Sequence, residues 1–174
     1  MSNIRLFRNL LNGLALNRFT VHSGLFKLLP ARQSAYRRFH STETTVAIVH
    51  NDIVRATNAG QITAFVLLDL SAAFDTVDQG VLLDVLSSRF GVTDRIFEWF
   101  QSYLTGRTHV FCTDSDYSEV TSITCSVPQG SVAGPLLFIV YTDDLEDTIS
   151  SFAFNHHMYA DDMQLLAHMS LKNV

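Results

Sequence analysis

Tyr159-Ala160-Asp161-Asp162 lies between the apolar segments Phe152-Ala153-Phe154 and Met163-Gln164-Leu165-Leu166, so two adjacent carboxylates must occupy a tight turn between apolar strands. Buried or half-buried charge of this kind needs counter-charge, and a divalent metal ion is the strongest candidate. A partner carboxylate is at hand. Thr63-Ala64-Phe65-Val66-Leu67-Leu68 is a near-continuous apolar run ending at Asp69, and it reads as a buried strand with a charge at its exit. Adjacent strands would bring Asp69 and Asp161 within reach of one ion.

Mg²⁺ takes oxygen ligands at about 2.0–2.1 Å and keeps places for water and substrate phosphates, so a site with few protein ligands points to phosphate chemistry. Two such ions roughly 3.5–4 Å apart can activate a hydroxyl and stabilise a leaving phosphate oxygen.

The stretch Phe65-Val66-Leu67-Leu68-Asp69-Leu70-Ser71-Ala72-Ala73-Phe74-Asp75-Thr76-Val77-Asp78 resembles the first palm motif of reverse transcriptases from non-LTR retrotransposons of the LINE, Jockey and CR1 type. Ser126-Val127-Pro128-Gln129-Gly130-Ser131-Val132-Ala133-Gly134-Pro135-Leu136-Leu137-Phe138 resembles the second, and Tyr159 to Asp162 the third. A finger block, residues 33–44, and Trp99 to Arg107 complete an ordered set covering most of residues 33–166. The four-residue acidic motif alone is weak; the ordered set is specific.

The resemblance implies an α/β (α+β) polymerase palm of split βαβ type with part of the fingers and the thumb absent. Residues 1–60 would be partial fingers and leading helices, and 61–174 a truncated palm. The implied activity is RNA-directed DNA synthesis: a primer 3′-hydroxyl attacks a deoxynucleoside triphosphate, with two Mg²⁺ ions, or Mn²⁺ in their place, as cofactors. Partners would be an RNA template, a DNA primer, dNTPs and further segments of a retroelement polyprotein. Asp69 and Asp161 would be metal ligands, joined by the Leu70 carbonyl, with Asp162 completing the metal environment or shaping its field. Phe74 would be the steric gate beneath the incoming sugar, although an inward Phe is ordinarily core. Gln129 and Gly130 would contact nucleotide and template; outside the motif, Pro128-Gln129-Gly130 is an ordinary turn signal. Arg37 and Arg38 would contact triphosphate or template backbone, or be solvated charges.

Departures from the family pattern are Gln79 where His is frequent, Ala133 for Leu, Met163 for Thr, and Cys125-Ser126 where the second motif usually opens with Gly. None removes an expected metal ligand. A rival reading is a catalytically inactive remnant that retains nucleic-acid binding; a two-metal phosphohydrolase is disfavoured because it has no need of Phe74 or Gln129-Gly130.

At 174 residues, one domain is the natural expectation, and the chain reads as a polyprotein fragment with uncovered sheet edges. The formal charge of −5 hides an asymmetry: residues 1–41 carry seven basic residues and no acid, whereas five basic residues face seventeen acids in the remainder. A basic finger element beside an acidic palm fits template contact at one end and catalysis at the other; two solvated faces are the plain alternative. Cys112 and Cys125 have no metal-ligand spacing and read as reduced thiols. With no signal peptide and no membrane-length apolar run, the expectation is an intracellular protein of nucleus or cytoplasm.

Periodicity predicts an amphipathic helix through Leu6, Leu10, Leu14 and Phe19, and a second from Ser41 or Thr42 to about Ala59. Asp78 should cap a helix ending near Phe90-Gly91, and Asp94 to Leu104 another. Thr108–Thr113 and Val120–Ser126 are expected to pair, Pro135–Asp147 to be one helix, and Phe152–Tyr159 with Met163–His168 to form the acidic hairpin. Helices should cover one sheet face. His156 and His157 should point to opposite faces, at the surface or a pocket edge.

Overall fold

The computed structural model describes residues 3–128, 130–152 and 154–170, with side chains from residue 13 onward. The chain divides into two compact units, both discontinuous in sequence: Met1–Leu28 with Ala72–Tyr141, and Leu29–Ser71 with Thr142–Val174.

The first unit is mostly helical. It contains α1 (Asn3–Leu25), α3 (Gln79–Ser88), α4 (Asp94–Leu104) and α5 (Gly134–Tyr141), with a small ladder of β2 (Thr108–His109) and β3 (Thr121–Ser122). Asp78 accepts a hydrogen bond from the Val81 N–H (3.0 Å), which satisfies a donor that the first turn of α3 cannot use internally. Every third or fourth residue then faces inward: Leu82, Leu83 and Leu86 are buried, as are Phe100 and Leu104 of α4. α3 packs against both α4 and α5. Phe19 of α1 lies 5.7 Å from Phe90 and from Phe100, the latter edge to face.

The second unit is a three-stranded antiparallel sheet, order β1–β5–β4, with β1 (Gln61–Asp69), β4 (Asn155–Tyr159) and β5 (Asp162–Ser170), flanked by α2 (Thr42–Asn58) and α6 (Asp143–Ser151). Ser41 caps α2 through a reciprocal pair with Thr44. Alternation along β4 assigns the two helices to opposite faces. His157 meets Asp52 of α2 at 2.9 Å, whereas Met158 and its cross-strand partner Met163 pack with Leu145 and Ile149 of α6. The expected one-sided cover is therefore corrected to cover on both sides of β4 and β5.

Other expectations also change. Pro135–Asp147 is not one helix: the chain breaks at Thr142, where it passes from one unit to the other. Asp143, Asp144 and Glu146 explain why, because they complement the positive N-terminal end of α6 and would oppose the negative end of a continuous helix. The expected long pairing of Thr108–Thr113 with Val120–Ser126 shrinks to two residues each, since Thr113 turns back to bond the Asp116 carbonyl and interrupts the ladder. β4 starts at Asn155, three residues later than expected.

The buried strand expected before Asp69 exists, but it is not buried. Phe65 is 43% exposed, Val66 47%, Leu67 66% and Leu68 44%. The reason is topological: β1 is an edge strand, and α6 packs over β4 and β5 side chains instead.

Candidate functional site

β1 and β5 run antiparallel with Asp69 directly opposite Asp162. Directly opposed residues of adjacent strands project to the same face, so two like charges are set side by side, which is unfavourable unless solvent or a cation screens them. Asp161 occupies the turn immediately before β5, and its carbonyl accepts the Leu70 N–H at 3.3 Å, which ties the exit of β1 to the turn. Asp69, Leu70, Asp161 and Asp162 thus gather at one end of the sheet. Among the described residues no cationic side chain is paired with any of the three carboxylates.

The donor chemistry, hard oxygen atoms with no competing cation, suits Mg²⁺. The convergence is incomplete: no group of three or more His, Cys, Asp or Glu side chains among the described residues is placed to enclose an ion.

Residues 32–39 lie beside this turn. Met158 donates to the Arg32 carbonyl and Ser34 to the Met158 carbonyl, both at 2.9 Å, so the segment forms a short parallel bridge along the outer edge of β4. Tyr36, at φ +57, comes near enough to Asp161 that partial burial, then the Asp161 and Tyr159 charges, raise its phenol pKa. Arg37 is half-buried, and burial lowers its pKa against the opposing pull of Glu146. Arg38 is exposed and stacks over the Phe39 ring at 4.7 Å. Arg32 donates to the His156 carbonyl, so it serves the fold.

Phe74 and Gly130 belong to the first unit. Phe74 is half-buried, with its ring 5.1 Å from Phe138, so it has a core-like contact as well as an accessible edge. Gly130 is exposed at φ +70, a conformation that favours glycine. Gln129 lies outside the described residues.

The family model described as reverse transcriptase (RNA-dependent DNA polymerase) matches residues 3–172. This chain belongs to the reverse transcriptase family. Its relatives place it with the non-LTR type. It is 29% identical over 162 residues to the RNA-directed DNA polymerase from mobile element jockey of Drosophila funebris, covering 90% of this chain and 18% of that protein. It is 30% identical over 172 residues to the probable RNA-directed DNA polymerase from transposon BS of Drosophila melanogaster, covering 93% and 17%. The chain therefore spans less than a fifth of these relatives' length. The mixed α/β fold is similar to that of apo telomerase from Candida tropicalis, with a TM-score of 0.67 at 11% identity, covering 92% of this chain and 32% of that one. No described helix of this reverse transcriptase segment is long and apolar enough to cross a membrane.

Two departures from the family pattern have structural accounts in the first unit. Ser126, part of the Cys125-Ser126 pair that replaces a Gly-containing entry, sits at φ +82 and is held there by Arg107, whose guanidinium donates to the Ser126 carbonyl (2.6 Å) and hydroxyl (2.8 Å). Gln79, where His is frequent, is buried and donates to the carbonyls of Cys125 (3.2 Å), Ile123 and Ser126. Both substitutions are visible in the sequence but their partners are not, because the acceptors are backbone atoms, more than forty residues away for Gln79. Gln33 opens the finger block but has no role legible from the sequence, because an amide in a polar segment carries no periodic signal.

The two histidines are also corrected: both are buried, at 1% and 8% exposure, because both faces of β4 are covered. His157 finds Asp52, whereas the His156 ring has the Phe154 backbone as a polar neighbour and makes no well-formed hydrogen bond among the described residues. Burial and the nearby Arg32 charge lower the His156 pKa below its ordinary value, with Glu146 opposing. The neutral ring is thus favoured in the folded state. Stability from this residue is complete above the unfolded pKa of about 6.5 and is lost as pH falls through the lower folded value. The expected result is a urea midpoint that declines below about pH 6.5 and a shallower decline in His156→Leu; equal slopes in the two proteins would exclude His156 as the cause.

Proposed function

We propose that this chain is a nucleic-acid-binding segment of a non-LTR reverse transcriptase, and that its described carboxylates do not by themselves complete a two-metal centre. The observation that carries the reading is the run Tyr36-Arg37-Arg38-Phe39 beside the acidic turn: Tyr36 is 59% and Phe39 86% exposed, flanking two adjacent guanidinium groups. Aromatic faces stack on unpaired bases and arginines neutralise phosphates, a combination suited to single-stranded RNA. Three carboxylates without a cationic partner at the same end of the sheet would repel the backbone unless a cation intervened.

The second reading is RNA-directed DNA polymerisation itself, favoured by the Asp69–Asp162 register and the adjacent Asp161. In that reading residues 61–174 act as a split βαβ palm and residues 1–60 as partial fingers. Asp69, Asp161 and the Leu70 carbonyl would hold Mg²⁺, with Asp162 adjacent. The metal would supply Lewis-acid stabilisation of phosphate charge. Phe74 would exclude a ribose 2′-hydroxyl, and Gln129 with Gly130 would seat the nucleotide. Template RNA, primer, dNTPs and other polyprotein segments would be the partners.

One pair of assays separates these readings. Anisotropy of a labelled single-stranded RNA should show tight binding at low salt that weakens steeply with salt, and Arg38→Ala should reduce the slope by about 1. No binding at low salt would sink the first reading. Primer extension on an RNA template with dNTPs and Mg²⁺ should be absent from the chain alone; extension abolished by joint Asp69→Asn and Asp161→Asn would establish the second. Extension indifferent to both changes would remove the carboxylates from the mechanism.

A further inference from the structure

We propose that Gln33 is the positioning residue of the acidic turn, its buried side-chain amide acting as a surrogate peptide group that fixes the backbone on which Asp161 stands. Gln33 is 1% exposed. Its Nε2 donates to the Ala160 carbonyl at 3.0 Å, and its Oε1 accepts the Ala160 N–H at 2.9 Å and the Ala35 N–H at 3.1 Å. Both polar groups of the Ala160 peptide positions are therefore held by one side chain, as a paired strand would hold them.

The need for such a clamp follows from the local backbone. Residues 32–34 bond the main chain of β4 at Met158, and that bridge ends there. Two residues on, Ala160 adopts φ +56, a conformation that non-glycine residues keep only when their surroundings impose it. The Gln33 side chain continues the bridge where the main chain stops. Asp161 follows directly, and its own carbonyl is engaged by Leu70, so the turn is fixed from both sides.

An amide is the group this geometry requires, because it donates and accepts at once. A glutamate of the same shape could accept from the Ala160 and Ala35 N–H groups but has no hydrogen for the Ala160 carbonyl at neutral pH. It would also add a negative charge to a site that already carries three.

The inference rests on the reading of Asp161 as a cation ligand, and the test keeps the two apart. Mn²⁺ alone is titrated into the full chain by electron paramagnetic resonance, and amide hydrogen exchange is followed at Ala160 and Met158, for wild type, Q33M, Q33N and D161N. The expected result for Q33M, which removes the amide without adding charge, is Mn²⁺ affinity about 10-fold or more weaker, in the range seen when an orienting partner of a metal ligand is lost. Exchange at Ala160 should accelerate while Met158, held by backbone bonds, stays protected. Unchanged Ala160 exchange in Q33M, whose side chain offers no acceptor to the Ala160 N–H, overturns the assignment with or without Mn²⁺ binding. Mn²⁺ affinity equal in wild type and D161N sinks the cation reading, while faster Ala160 exchange in Q33M still upholds the positioning role. If Q33M fails to fold, Q33N, whose amide is one methylene too short to reach Ala160, carries the test with the same two readouts.

Discussion

Phe100→Ala should destabilise the helical unit by about 3–5 kcal/mol, a large share of the roughly 5–15 kcal/mol that holds a domain together. Phe100 has no exposed surface and touches two rings, Phe19 at 5.7 Å edge to face and Trp99 at 4.8 Å. Removing it takes apolar area out of the core and leaves a cavity between α1 and α4. Because helices from distant parts of the sequence meet there, neighbouring backbone cannot collapse into the space without moving an entire helix. Urea unfolding followed by far-ultraviolet circular dichroism checks the value. Phe111→Ala is the control: that ring is 71% exposed, and its loss should change stability by less than about 0.5 kcal/mol. Equal effects at the two positions would refute the proposed core.

The second large effect is expected at Gln79→Leu, with a cost of about 1–3 kcal/mol. Volume is nearly conserved, so the cost is polar in origin: the Cys125, Ile123 and Ser126 carbonyls lose the shared amide donor. Ser126 keeps its bonds to Arg107, which limits the damage. Gln79→His should cost less than Gln79→Leu, because an imidazole N–H replaces part of the donor function. The strand segment at stake is the one whose Ser126 and Val127 amides bond Val77 and Phe74, so the change loosens the connection between the first and second motifs. Denaturation midpoints of the two variants measure this directly, and a Gln79→Leu protein as stable as wild type would rule out the account.

What could be read from residues alone divides along physical lines. Ser41 and Asp78 announced helix starts because capping is local chemistry, and the turn around Ala160 was legible because apolar strands flanked adjacent acids. The register that sets Asp69 against Asp162 was foreseeable only as adjacency of strands. Uncovered sheet edges were expected, but that β1 is one of them was not legible, since an apolar run looks the same at an edge as in the centre of a sheet. The burial of His156 also escaped, because alternation says which faces residues take but not that both faces are covered. Gln33, Gln79 and Arg107 were missed as organisers for one shared reason: each bonds backbone atoms remote in sequence, and backbone acceptors leave no mark in residue type.

The pairing of β1 with β5 also dictates an order of events during translation. Asp69 leaves the ribosome 93 residues before Asp162, and all of residues 72–141 of the other unit are made in between. Sheet formation must wait for that interval, because an edge strand cannot hydrogen-bond to a partner not yet synthesised. The nascent chain therefore carries Phe65 to Leu68 unpaired for seconds, at synthesis rates of about 5–20 residues per second, and becomes a natural client for chaperones that bind extended apolar segments.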